Sequence, residues 1–138
     1  MSKLNAFLHP VRPTVEEKEV IISTRFQDEN GKPVPFKIRS LTQAENEQLM
    51  KKATKKKKIN GQEVEYRDDM QYSREIVLAA TLEPDFSNEE MCKTYGVLDP
   101  SLVPSKMLMT GEYQRLVAAI SDLSGLNDSE DVFESAKN

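Results

Sequence analysis

The fold is decided by residues 110–125, TGEYQRLVAAISDLSG. Apolar side chains recur in this stretch at steps of three and four residues, and polar side chains occupy the other positions. The apolar stripe consists of Tyr113, Leu116, Val117, Ile120 and Leu123. This spacing is typical of an amphipathic α-helix. We therefore predict a helix from Thr110 to Gly125 whose stripe packs either on the core of its own chain or on another protein.

Two β-rich segments near the N-terminus predict an antiparallel hairpin that would pack on this helix. Residues 20–26 (VIISTRF) and 34–39 (VPFKIR) are rich in β-branched and aromatic side chains and partly alternate with polar ones. Residues 28–32 join them, and Asn30-Gly31 is able to take the positive φ values of a tight turn. Pro33 and Pro35 lack an N–H donor, which gives the second strand a free edge near its start.

Three more helices are predicted between the hairpin and the last helix. A capping box at residues 42–45 (TQAE) starts a helix that runs to about Lys52 or Ala53. Residues 68–82 have a broad apolar face and form the next helix, which Pro84 stops. A second capping box at residues 87–90 (SNEE) starts a short helix that ends at Gly96.

A lysine-rich segment separates the first two of these helices. Six lysines fall within residues 51–58 and are followed by Asn60-Gly61. Because like charges repel and Asn-Gly favours a turn, we predict a solvent-exposed loop, with a short β excursion through Val64 and Tyr66 as the alternative.

The two ends of the chain differ from its middle. Residues 1–18 mix apolar side chains with prolines and charges, which predicts a flexible, extended N-terminal arm rather than a helix or a strand. Residues 127–138 are polar and acidic, and they predict a disordered tail. The class is therefore α+β, with one domain over residues 19–126 in which the N-terminal β-hairpin packs on a small bundle of about four helices.

The composition favours protein binding over catalysis. The chain has 138 residues, a net charge of −4, one histidine (His9) and one cysteine (Cys92). These residues predict no catalytic, cofactor or metal site, and a lone cysteine in a chain without an apolar run of about 18 residues fits a soluble cytosolic protein that has no membrane contact. The negative charge disfavours nucleic acid, although the lysines of residues 51–58 keep that alternative open.

The order and spacing of several segments resemble the XkdN-like phage tail assembly chaperones. In the N-terminal half these segments are NAFLHP (5–10), RFQDENGKPV (25–34), FKIR (36–39) and LT (41–42). In the second half they are PDF (84–86), YGV (95–97), ML (107–108) and GEYQRL (111–116). The resemblance covers about residues 4–126.

This resemblance implies a phage or prophage protein that acts in the cytoplasm of the bacterial host and is absent from the mature virion. Such chaperones bind the long, apolar tape measure protein, keep it soluble and help recruit the major tail protein; self-association is left open. The residues we expect to contact partners are Phe7, Leu8, Tyr113, Leu116 and Phe133. Two alternatives are a structural tail-completion or connector protein of the virion and a nucleic-acid-binding regulator that uses Lys51–Lys58.

Overall fold

A computed structural model of the chain describes residues 3–126. Its elements, in order, are α1 (Lys3–Leu8), β1 (Glu17–Val20), β2 (Phe36–Arg39), α2 (Gln43–Lys52), β3 (Thr54–Ile59), β4 (Gln62–Arg67), α3 (Asp69–Ala80), β5 (Thr81–Glu83), α4 (Glu89–Thr94), a 3-10 turn (Pro100–Leu102), α5 (Val103–Met107) and α6 (Thr110–Leu123). The predicted α+β class is confirmed, with six α-helices in place of four among these residues. Phe133 and the predicted tail, 127–138, lie outside the described residues.

The middle strand of the main sheet is β2. It pairs antiparallel with β1, from Glu17 opposite Arg39 to Val20 opposite Phe36, and its other edge pairs antiparallel with β5. Side chains two residues apart on a strand lie on the same face, and here Phe36 and Ile38 are both buried. The predicted N-terminal hairpin pairing is confirmed, but its first strand is Glu17–Val20 and not residues 20–26.

Residues 21–35 form a long connection between β1 and β2. Part of it folds back on itself, since Gln27 bridges Pro33 and the Asp28 carboxylate accepts hydrogen bonds from the N–H groups of Asn30 and Lys32. Gly31 has a φ of 78°, as the turn requires. Two apolar side chains before the turn contribute to the core and do not extend the ladder: Ile22 is buried and Phe26 packs against the core, whereas Ile21 is exposed.

The third strand was not predicted. Helix α3 ends at Ala80, whereas the apolar pattern had placed its end near Leu82. Residues Thr81–Glu83 instead pair with β2, with Thr81 opposite Ile38. The sequence Thr81-Leu82 is compatible with either a last helical turn or a short strand. The strand forms because the edge of β2 offers backbone hydrogen-bonding partners.

A second hairpin replaces the predicted lysine loop. Strands β3 and β4 pair antiparallel from Thr54 opposite Arg67 to Ile59 opposite Gln62, and every residue of both strands is exposed. Asn60 and Gly61, with φ values of 51° and 79°, make the two-residue turn, which is the conformation that Asn-Gly favours between strands. The predicted solvent exposure and the β excursion through Val64 and Tyr66 are confirmed, but the segment is a regular hairpin and not a loop.

The N-terminal residues also depart from the prediction of an extended arm. Residues Lys3–Leu8 form the helix α1, and β1 begins at Glu17 inside the range assigned to the arm. Leucine and alanine favour a helix, and no proline interrupts the chain before Pro10, so this stretch can complete a short one. Helix α1 contributes no buried side chain to the core.

Side-chain caps mark where α2 and α4 begin. The capping box of α2 is confirmed, since Thr42 Oγ1 accepts from the Glu45 N–H at 3.2 Å and Glu45 Oε1 accepts from the Thr42 N–H at 3.0 Å. Helix α4 is capped by Asn88, not by Ser87 as predicted, because the Asn88 side chain accepts from two N–H groups of the first turn. Residues 99–109, between α4 and α6, contain the 3-10 turn and α5.

The core lies where α3 and α6 pack together and against the sheet. Its buried side chains come from every layer of the fold and are Ile22, Phe36, Ile38, Val77, Ala80, Phe86, Val103, Leu116 and Ile120. The predicted helix α6 is confirmed, and two of the five residues of its stripe, Leu116 and Ile120, are fully buried. The sheet and the two longest helices therefore depend on one shared core.

We predict that Ile38→Ala lowers the free energy of unfolding by about 2–5 kcal/mol, because it removes buried methyl groups from the middle strand and leaves a cavity. Ile38 is 0% exposed, whereas Ile59 at the tip of the β3–β4 hairpin is 46% exposed. The control Ile59→Ala should stay within about 0.5 kcal/mol of the parent protein. Urea unfolding of the three proteins measures this, and equal losses from the two substitutions would contradict the assignment of the core.

Candidate protein-binding surface

An apolar cleft of ≈ 590 Å³ opens on the surface between α3, α5 and α6. It is lined by Ser73, Pro104, Ser105, Leu108, Thr110, Tyr113, Gln114, Val117 and Ala118. Tyr113 is half-buried, and its hydroxyl lies 3.0 Å from Ser73 Oγ, so its polar end is satisfied while its ring lines the cleft. A concave apolar surface with polar groups among its lining residues suits a protein partner that contributes apolar side chains.

The corner between α5 and α6 forms one wall of this cleft. Leu108 and Met109 both have extended backbone conformations, so the chain turns sharply between the two helices. The Leu108 N–H donates to the Pro104 carbonyl at 3.0 Å and closes α5. Leu108 and Tyr113 consequently line the same cleft from opposite sides of the corner.

An ion pair between the buried Glu112 carboxylate and the partly exposed Arg25 holds the corner in place. Glu112 is 4% exposed. Arg25 donates two hydrogen bonds to its carboxylate, from Nη2 to Oε1 at 2.5 Å and from Nε to Oε2 at 3.0 Å. The same carboxylate accepts from the Met109 N–H at 2.7 Å, and Arg25 Nη2 also donates to the Met107 carbonyl at 3.0 Å. A forked guanidinium thus joins the connection before β2 to the start of α6.

The electrostatics of Glu112 follow from these contacts. The hydrogen bond from Arg25, with further hydrogen bonds from Ser23 and the Met109 N–H, lowers the pKa of Glu112 from 4.5 to about 2. The pKa of Arg25 is raised, chiefly by the hydrogen bond to Glu112. Sequence reasoning missed this pair because its members are 87 residues apart. The available signal was a glutamate at the third position of a predicted helix, where it can cap the helix N-terminus.

The structure separates the predicted contact residues. Phe7 and Leu8 are 81% and 61% exposed on α1, and Tyr113 lines the cleft. Leu116 is fully buried in the core, so it offers no surface to a partner in this fold. Phe133 lies outside the described residues. The cleft and α1 are therefore the places where predicted contact residues are accessible.

The residues with chemical reactivity do not cluster. His9 is exposed just after α1, and Cys92 is half-buried with its thiol directed at the Phe86 carbonyl, 3.4 Å away. Within residues 3–126, no group of three or more His, Cys, Asp or Glu side chains could hold a metal ion. None of the helices in this range is long and apolar enough to span a membrane.

The lysine run is split between two elements. Lys51 and Lys52 end α2, whereas Lys55 to Lys58 lie along β3, where successive side chains point to opposite faces. Lys56 and Lys58 are opposite Glu65 and Glu63 in the β3–β4 register. The lysines consequently do not make one continuous basic surface.

Comparison with known proteins identifies the family. The family described as "Phage XkdN-like tail assembly chaperone protein" matches residues 4–137. The chain belongs to this family. Two relatives come from Bacillus subtilis (strain 168): the uncharacterized protein YqbN is 33% identical and the phage-like element PBSX protein XkdN is 32% identical, each over 126 residues that cover 89% of this chain and 85% of the relative.

A solved structure supports the same relationship. The crystal structure of YqbN superposes with a TM-score of 0.72 at 26% identity and covers 91% of this chain and 98% of that chain. The predicted membership of the XkdN-like family is therefore confirmed. Membership of this family implies partners among phage proteins, and the cleft and α1 are the candidate surfaces for such contacts.

We predict that Glu112→Gln destabilises the protein at pH 7 and that this loss shrinks in acid. The pKa of Glu112 is about 2 in the folded protein and near 4.5 when unfolded. Its stabilising effect is therefore complete above about pH 4.5 and disappears as the pH falls through 2, because only the unfolded chain takes up a proton in this window.

Urea unfolding of the parent and Glu112→Gln proteins at several pH values between 7 and 2.5 measures the effect. The stability loss caused by Arg25→Gln should also shrink as the pH falls, since the hydrogen bond from Arg25 is the main cause of the lowered Glu112 pKa. A stability difference that stays constant from pH 7 to pH 2.5 would contradict the prediction.

Proposed function

We propose that this chaperone binds the tape measure protein of a tailed phage, keeps it soluble in the host cytoplasm and helps recruit the major tail protein during tail assembly. The observation that carries the proposal is the open apolar cleft beside Tyr113 in a member of a tail assembly chaperone family. Tape measure protein exposes apolar surface until the tail tube encloses it. Covering that surface by many copies of a small protein prevents its aggregation.

The shape of the cleft suits the apolar face of a helix. Apolar side chains at i, i+3 and i+4 of a partner helix insert together into a groove of this kind. Tyr113 and Leu108 supply apolar area, and Ser105 and Gln114 supply hydrogen-bonding groups. Because Tyr113 is held by Ser73, its ring is positioned before a partner arrives, which reduces the entropy lost on binding.

Helix α1 offers a second contact. Phe7 and Leu8 are adjacent, largely exposed and separate from the core. Large apolar side chains exposed together are typical of surfaces that bind another protein. A second weak contact on the same partner would increase the overall affinity without requiring a larger cleft.

The charge of the chain fits this role. At −4, each bound copy adds negative charge to the complex and so opposes aggregation. The nucleic-acid alternative receives less support from the structure, because two of the four lysines of β3 lie opposite glutamates of β4.

To test the cleft, we predict that Ala118→Glu lowers the yield of soluble tape measure protein on co-expression, because it places a carboxylate on an exposed position that lines the apolar cleft. Ala44→Glu is the matched control, since it makes the same change on an exposed position of α2 away from the cleft. Phe7→Ser tests α1 in the same assay.

The readout is the amount of tape measure protein that co-elutes with the chaperone in gel filtration. We expect Ala118→Glu to reduce this complex and Ala44→Glu to preserve it. Equal complex formation by both variants would contradict the role of the cleft, and no complex with the parent protein would overturn the proposed function.

The alternative of a structural virion subunit makes a different prediction. A chaperone that leaves before the particle is complete should be absent from purified virions, whereas a tail-completion or connector protein should be present in a fixed ratio to other tail proteins. Quantitative mass spectrometry of purified particles decides between them.

A further inference from the structure

We propose that one face of the β3–β4 hairpin binds residues 127–138 of the same chain. Side chains alternate between the two faces of a strand, and residues opposite each other in the register share a face. The face in question, here called the cationic–apolar face, carries Lys55, Lys57, Ile59, Val64 and Tyr66. It is distinct from the cleft of the proposed function.

The apolar side chains of the cationic–apolar face have no core to cover them. Ile59, Val64 and Tyr66 are 46%, 38% and 39% exposed. They lie side by side across two paired strands, and Lys57 Nζ lies 4.8 Å from the centre of the Tyr66 ring. A partner that covers this face would bury a small apolar cluster.

The charges of this face are only partly compensated. Lys55 pairs with Asp68 at 2.6 Å, but no carboxylate of residues 3–126 forms an ion pair with Lys57. On the opposite face, Lys56 and Lys58 have Glu65 and Glu63 as cross-strand neighbours. The hairpin therefore has a face of mixed charge and a face whose cation is available to an acidic partner.

Residues 127–138, NDSEDVFESAKN, have the complementary chemistry. Four acidic residues surround the apolar pair Val132-Phe133, with Lys137 as their one counter-charge, so the segment carries a net charge of −3. Hairpin residues 54–67 carry four lysines and an arginine against two glutamates, a net charge of +3. An acidic segment with an apolar centre matches an apolar face flanked by cations.

The chain leaves the described fold close to the hairpin. Leu126 lines a cleft together with Tyr72, and Arg67, the last residue of β4, stacks on the Tyr72 ring at 4.8 Å. Phe133 follows Leu126 by seven residues, which extend to about 23 Å at ~3.3 Å per residue. That reach is about the length of a six-residue strand. Arg67 lies at the base of the hairpin on the face opposite Tyr66, so we infer that the segment passes around this base to reach Tyr66 and Val64 of the same molecule.

Paramagnetic relaxation enhancement in the isolated full-length chain tests the proposal. A nitroxide is attached to Ser135→Cys in a Cys92→Ala background, so that it labels the segment alone, and the amide signals of residues 54–67 are recorded. We expect the amides of Lys57, Val64 and Tyr66 to lose most of their intensity. Retention of full intensity at these three amides would overturn the proposal.

Two neighbouring charge reversals supply the matched control. Lys57→Glu changes the cationic–apolar face and should restore the intensities, whereas Lys56→Glu makes the same change on the opposite face and should leave the broadening in place. Broadening that survives Lys57→Glu, or that disappears equally in both variants, would contradict binding to this face.

A mixture of spin-labelled unenriched chain with untagged ¹⁵N-enriched chain separates contacts within one molecule from contacts between copies. We expect no broadening in the mixture. Broadening as strong in the mixture as in the labelled chain would overturn the intramolecular assignment. The measurement needs no phage partner, so its result does not depend on tape measure binding.

Discussion

The ion pair that Arg25 forms with the buried carboxylate of Glu112 is the constraint on which much of the remaining structure depends. A carboxylate removed from water is costly unless it is paired and fully hydrogen-bonded, and Glu112 meets both conditions through Arg25 and the Met109 N–H. Arg25 reaches α6 from the long connection that separates the end of β1 at Val20 from β2, so the pair joins this connection to the last helix.

The same pair shapes the cleft that we propose as the protein-binding surface. It fixes the corner between α5 and α6 through Met107 and Met109, and that corner sets Leu108 opposite Tyr113 across the cleft. A surface built on such a corner keeps its shape without a partner, which reduces the entropy that the proposed binding would cost. The β3–β4 hairpin differs in kind, since all of its strand residues are exposed and its chemistry is cationic as well as apolar.

Local signals in the sequence were reliable where they are complete within a few residues. The capping box at Thr42 and Glu45, the periodic stripe of α6 and the positive φ of Gly31 depend on neighbours in the chain, and the structure contains each of them. The β3–β4 hairpin shows the limit of this reasoning. Asn60-Gly61 predicted its turn, but the four consecutive lysines did not predict a strand. Strand propensity depends on cross-strand neighbours, which the sequence does not identify.

The sequence by itself determined the α+β class, the amphipathic helix at residues 110–123 and the family, because these depend on periodicity, local capping and the order of short motifs. Tertiary structure alone decided which members of the apolar stripe are covered: Leu116 packs in the core while Tyr113, three residues earlier, lines the cleft. It also added β5 to the sheet and joined Arg25 to Glu112. Each of these outcomes depends on groups far apart in the chain, whose separation is set only when the core forms.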